Sequence, residues 1–186
     1  MLKDVLSTHR LFAVAGINPK DRDAFEPPHR IATIGIVRAC QKNDNGTSNL
    51  LLQGLARIEF LDILREEPYR TVRIRALSSI PGAHADANTR LRTSLARLIQ
   101  LKQRLDGQAS GEFAQFLKTV EDPETFVDLA AFSLCENPGV KQTLLETLDV
   151  HRRLQLLADH LRGEIDRTKL QRKLQGGLPD DTIINN

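Results

Sequence analysis

Near residue 80 the spacing of apolar residues changes from two to between three and four, and few folds accommodate such a change. Tyr69–Leu77 (YRTVRIRAL) alternates, with Val72, Ile74 and Ala76 on one side and Thr71, Arg73 and Arg75 on the other. Period two belongs to an antiparallel strand with one buried and one solvated face. Farther on, Leu91, Leu95, Leu98, Lys102 and Leu105 keep the spacing of one helix face. A chain built this way segregates its strands from its helices, so the expected class is α+β.

The first half reads as strands. Met1–Ser7 is expected to form a short amphipathic helix, with Leu2, Val5 and Leu6 on one side. Leu11–Ile17 (LFAVAGI) has strand length, and Asn18–His29 is a polar, proline-bearing loop. Ile31–Gln41 is rich in β-branched residues and apolar on both faces. Asp44-Asn45-Gly46 supplies the positive-φ positions of a hairpin turn. Leu50–Leu55 returns, Gly54 permits a bulge, Ala56–Leu64 continues the sheet, and Glu66-Glu67-Pro68 ends it.

The second half reads as helices. Ser78–Ala85 is a turn-rich linker, and Asp86 or Asn88 is expected to cap the first long helix. Gly107–Gly111 breaks that helix, and Glu112–Lys118 forms a short one. Asp122-Pro123-Glu124 opens the next, with a capping acid and a proline at the first helical position. Its buried stripe is Phe126, Leu129 and Ala130. Asn137-Pro138 repeats the start signal for a helix carrying Val140, Leu144 and Leu148. Asp149 caps a long last helix whose inner face is Val150, Leu154, Leu157, Leu161 and Ile165. The expected division is a β-lobe over 1–80, a bundle over 86–177 and a disordered tail over 178–186.

Composition removes several functions. The formal charge is +2 over 186 residues, with twelve Lys or Arg against nine Asp or Glu up to Ala85 and fourteen against fifteen after it. Neither half has the basic footprint of a nucleic-acid binder. Cys40 and Cys135 lie far apart without CxxC spacing and are expected to be reduced, buried thiols. MLKDVLSTHR lacks the pattern of a signal peptide, and no apolar run is long enough to cross a bilayer. The expectation is a cytoplasmic protein without a membrane association.

Several strings, taken in order, resemble the N-terminal substrate-binding domain of Lon-type proteases. IGIVRACQ, a polar NDNG turn and LLLQGLARIEFLDI match the strand-rich half of that family. DPETFVDLAAFSL, VKQTLLETLDVHRRLQLLADHL and LQRKLQG match its helical half, so the resemblance runs from about Leu2 to Gly176. It implies an antiparallel PUA-like β-barrel lobe followed by an α-helical bundle with a long C-terminal helix. It also implies a non-catalytic domain that binds unfolded or damaged polypeptides, in association with a protease or ATPase partner. Two departures are noted: the family's first strand, aliphatic and proline-bearing, has no counterpart before Met1, and the ATPase and peptidase modules are absent. The chain is thus expected to be a standalone member or a fragment of a longer one. The family's missing strand implies either a start placed too late or another cover for the sheet edge, with self-association through that edge or the last helix as one consequence.

The sequence carries no recognised catalytic string, in keeping with a binding role. No GxxxxGK[ST], GxSxG, HExxH or CxxC string occurs, so no catalytic residue, metal ligand or cofactor is assigned. His9, His29 and His84 fall in loops, while His151 and His160 fall on opposite sides of the last helix, as surface histidines. Arg38 and Arg57 follow Gly35 and Gly54 as Gly-x-x-Arg and are expected to cap strand ends or pair with carboxylates such as Glu59 and Asp62, with contact to an anion as the alternative. Arg70, Arg73 and Arg75 make a basic strand face, which keeps a PUA-like RNA-binding module as the alternative, though no aromatics interleave for base stacking. Asp159/Arg162, Glu164/Arg167 and Asp166/Lys169 mark an exposed helix surface, and Leu161, Ile165 and Leu174 offer a coiled-coil seam. The candidate substrate contacts are Phe25, Pro27 and Pro28 in the Asp23–Arg30 loop, with Tyr69. Phe25 either docks an apolar peptide or plugs one end of the β-lobe.

Overall fold

The computed structural model describes residues 1–19, 27–107 and 112–175. It divides into two compact units, Met1–Ser79 and Ile80 onward.

In the first unit, α1 (Leu2–Ser7) precedes four strands: β1 (Leu11–Val14), β2 (Ile31–Lys42), β3 (Ser48–Arg65) and β4 (Thr71–Leu77). All neighbours are antiparallel, in the order β1-β2-β3-β4. The α+β class is therefore as expected. Among the described residues the lobe is an open sheet, with β1 and β4 as its edges.

The register explains why one face is apolar. Ala13 pairs with Ile34 and Ile34 with Ala56; Ala32 pairs with Ile58 and Ile58 with Ala76; Phe60 pairs with Ile74 and Ile63 with Val72. Paired residues point the same way, so these side chains share one face. The opposite face carries Thr33/Arg57/Leu77, Ile31/Glu59/Arg75 and Asp62/Arg73. Register shifts fall between Ile34 and Gly35 opposite Gly54, the position expected to bulge, between Val37 and Ala39, and twice more along β3, at Leu61 and Leu64. The β2–β3 turn is built around Gly46 at φ 84°, where Asn45 Oδ1 accepts from the Thr47 amide at 3.0 Å.

Two expectations fail here. Val72, Ile74 and Ala76 share a face as the alternation requires, but Ile74 and Ala76 are exposed, because an edge strand is flanked by only one neighbour. Cys40 is exposed rather than buried, since both sides of β2 lose cover beyond Val37. Among the described residues, only four of the nineteen buried hydrophobic ones (Val5, Ala32, Val37 and Ile58) belong to this unit, so its described core is thin.

The second unit is helical: α2 (Ala85–Leu105), α3 (Glu112–Thr119), α4 (Pro123–Leu134), α5 (Pro138–Glu146) and α6 (Val150–Gln175). The core draws Leu95 and Ile99 from α2, Leu117 from α3, and Phe126, Val127, Ala130 and Ala131 from α4. Leu144 of α5 and the α6 residues Val150, Leu154, Leu157, Ala158 and Leu161 complete it. Asp122 caps α4 by accepting from the Thr125 amide at 2.7 Å, Asn137 caps α5, and Asp149 accepts from the Arg152 amide at 2.8 Å. These three caps are where the sequence put them. The cap of α2 is His84 instead, because the helix begins earlier. Asn88 is consequently buried inside the first turns, donating to the Pro81 carbonyl at 2.9 Å and facing His151 Nδ1 at 2.8 Å. The segment expected as linker is pinned to the start of α6, with Ile80 N–H donating to Leu148 and Val150 N–H to Ile80.

Among the described residues, Arg153 is the largest fully buried side chain. Its Nη1 donates to Asp128 Oδ1 at 2.6 Å and its Nε to the Thr147 carbonyl at 3.0 Å, while Glu124 lies 3.5 Å from Nη2. A buried guanidinium is tolerated only when its donors are matched in this way.

Candidate functional site

In the bundle a thiol stands beside an imidazole. Cys135 Sγ stands 3.7 Å from His160 Nε2, and Glu164 Oε1 is 3.4 Å from that same nitrogen. A nucleophilic triad needs the acid on the other ring nitrogen, so that the base is oriented toward the thiol. Burial, with Glu164 and Glu136 nearby, pushes the Cys135 thiol up, away from the reactive thiolate. The arrangement lacks the geometry of such a triad. Both α6 histidines are thus half-buried and partnered rather than on the surface. Among the described residues no group of three or more His, Cys, Asp or Glu could hold a metal ion, and no helix is long and apolar enough to cross a membrane.

The arginines of the first unit are matched by acids. Arg70 Nε is 3.0 Å from Glu66, Arg73 Nη1 is 3.1 Å from Asp62, and Glu59 is shared by Arg75 Nε at 3.0 Å and Arg30 at 2.8 Å. Glu59 and Asp62 are thus taken by arginines of β4 and by Arg30, and Arg38 donates to Gln53 at 2.7 Å. The register explains this, since Arg75 and Arg73 stand directly across from Glu59 and Asp62. On α6, Asp159 pairs with Arg162 at 2.7 Å, but Glu164 turns to Lys102 and His160. Leu161 and Ile165 are spent in the core, leaving Leu170 and Leu174 exposed beyond it.

The candidate contact residues do not gather at one point. Phe25 lies outside the described residues. Pro27 is buried, Pro28 is half-buried and bridges to Ile17, and Tyr69 is half-buried with the Arg65 guanidinium 5.6 Å above its ring. The larger apolar exposure lies elsewhere, on the β3–β4 hairpin. Leu61 is 41%, Ile63 46%, Leu64 56% and Ile74 38% exposed. The signal was present in FLDIL: apolar residues at Phe60, Leu61, Ile63 and Leu64 occupy both parities of a strand, and one face cannot bury both. The two bulges turn Leu61 and Leu64 out of the ladder. In the second unit Phe132 is 77% exposed, with Lys141 Nζ 5.5 Å from its ring.

Comparison with known proteins gives a consistent result. The sequence model of the ATP-dependent protease La (LON) substrate-binding domain matches residues 1–163. The Lon protease of Dictyoglomus thermophilum is 26% identical over 182 residues, covering 97% of this chain and 23% of that protein. The Lon protease of Heliobacterium modesticaldum is 30% identical over 154 residues, covering 83% of this chain and 19% of that protein. The chain thus spans about a fifth of the length of these relatives. Among solved structures, the N-terminal domain of Mycobacterium avium complex Lon protease superposes with a TM-score of 0.60 at 16% identity, over 82% of this chain and 89% of that one. The Lon N-terminal domain protein of Xanthomonas campestris gives 0.56 at 19% identity, over 84% and 79%.

Proposed function

We propose, because this chain belongs to the ATP-dependent protease La (LON) substrate-binding domain family, that it captures exposed apolar segments of unfolded or damaged polypeptides in the cytoplasm and passes them to a protease. The observation that carries this reading is the band of exposed aliphatic side chains on the β3–β4 hairpin: Leu61, Ile63, Leu64 and Ile74. An unfolded chain offers the same kind of surface, and joining the two removes both from water. Pro28 and Tyr69 are proposed as further contacts, with Phe25, whereas Pro27 is buried. No step of bond-making is assigned to the chain.

The alternative of RNA binding draws on Arg70, Arg73 and Arg75, and each of these already faces a carboxylate. No aromatic residue interleaves with these arginines for base stacking, so no specific observation favours that reading.

The test is a titration of a permanently unfolded, dye-labelled polypeptide with the purified chain, read by fluorescence anisotropy. Saturable binding is expected, weakened by Ile63→Asp and Leu64→Asp, with no binding of the same polypeptide in its folded form. Absence of binding at high micromolar concentration would remove the proposal.

A further inference from the structure

We infer that β4 receives the captured segment as an added fifth strand, and that the preferred segment is extended and alternates apolar with acidic residues. This rests on the polypeptide-binding reading above and names its substrate class and its seat.

β4 is the outermost strand on its side of the sheet. Among the described residues, no backbone hydrogen bond beyond those to β3 reaches Thr71–Leu77. Such an edge is a template for another strand, because its outward N–H and C=O groups have no ladder partner. The two faces of β4 then set what an added strand must carry. On one face stand Val72, Ile74 and Ala76, continuous with Phe60 and Ile63 of β3. On the other stand Arg73 and Arg75, whose side chains are 62% and 63% exposed. Their acids, Asp62 and Glu59, lie on β3, on the inner side, and Glu59 already serves Arg30 as well. Both arginine side chains thus keep most of their surface in water, and no acid occurs from Tyr69 to Leu77. A residue placed directly across from β4 shares its face, so apolar residues meet the aliphatic row while acids two apart meet Arg73 and Arg75.

The same charges argue against a second copy of this chain as the occupant. Two β4 strands paired antiparallel about Ile74 would set Arg73 against Arg75 twice, and like charges directly opposite repel. The edge is protected against itself while remaining open to an acidic strand.

The experiment uses the full chain and short dye-labelled peptides read by anisotropy. A peptide alternating valine and glutamate is expected to bind about tenfold more tightly than one alternating valine and lysine. A peptide with the same valines and glutamates in two blocks is expected to match the weaker one. Methylating the backbone nitrogens of alternate residues is expected to abolish binding, since it removes ladder donors without touching the protein. The variant Arg73→Gln/Arg75→Gln is expected to lose the preference for glutamate. Equal binding of the glutamate and lysine peptides, indifference to N-methylation, or a dimer by sedimentation that the peptide dissociates would overturn the inference. If the unfolded polypeptide still binds in that case, only the strand-addition claim falls; if it does not, the polypeptide-binding reading falls first.

Discussion

A single carboxylate, Asp122, makes the start of α4 dependent on acidity. Hydrogen bonds from the Thr125 side chain and then from the Thr125 amide hold its pKa below the ordinary carboxylate value. The folded pKa is depressed, so the stabilisation is complete above the pKa of the unfolded chain and is lost as pH falls through the folded value. Asp122→Ala is expected to cost about 1 kcal/mol at neutral pH, the usual worth of an N-cap. In urea melts the gap between wild type and variant should narrow as the solution is made acidic; a gap unchanged down to the acid limit would show that the cap is not titrating. This cap, like those at Asn137 and Asp149, was legible because an acid or amide before proline or an apolar run has a local cause. The cap of α2 was not, because His84 has no such signature and Asn88 is drawn inward by Pro81 and His151, which are contacts from outside its own turn.

At the level of elements, α6 is held to α4 by one buried charge with two half-exposed acids. Arg153 is wholly buried while Asp128 and Glu124 are 37% and 41% exposed, and this asymmetry decides which loss is worse. Replacing Arg153 with Met leaves carboxylates that water can reach, in a site of similar volume. Replacing Asp128 with Ala leaves a guanidinium short of its best acceptor in the interior. Asp128→Ala should therefore cost about 3 kcal/mol and Arg153→Met clearly less. Equilibrium denaturation of the two variants checks the order, and the reverse order would mean that Glu124 and Thr147 alone satisfy the arginine. Arg153 itself could not be anticipated, since it stands on a helix otherwise read as charged outward. The inner face of α6, from Val150 to Ile165, could be, because five apolar residues at helical spacing admit one arrangement. Along β3 the pattern failed for the opposite reason: Phe60 to Leu64 are apolar at both parities, and where the two bulges fall depends on the register with β4.

Over the molecule as a whole, the division of class was plain in the change of period, while the candidate site was only partly so. Proline and the lone tyrosine draw attention as contact residues by their chemistry. Exposure, however, is decided by which strand ends the sheet, and no local spacing states that β4 is an edge. The thiols illustrate the same point. Both were expected to be covered, yet Cys40 stands in the exposed outer stretch of β2 and Cys135 inside the bundle. A thiol reagent at neutral pH should therefore consume one equivalent per native chain and a second only after unfolding, and two rapid equivalents from the native chain would contradict the buried position of Cys135. Cys40 pairs with Leu50, whereas β4 pairs from Arg57 to Arg65 of the same strand. The lone accessible sulfur is thus roughly 20 Å along β3 from the nearer end of β4, at about 3.3 Å per residue. That separation suits resonance energy transfer: a donor dye attached there becomes a ruler, able to tell whether an arriving peptide lies along the far strand or comes to rest somewhere else.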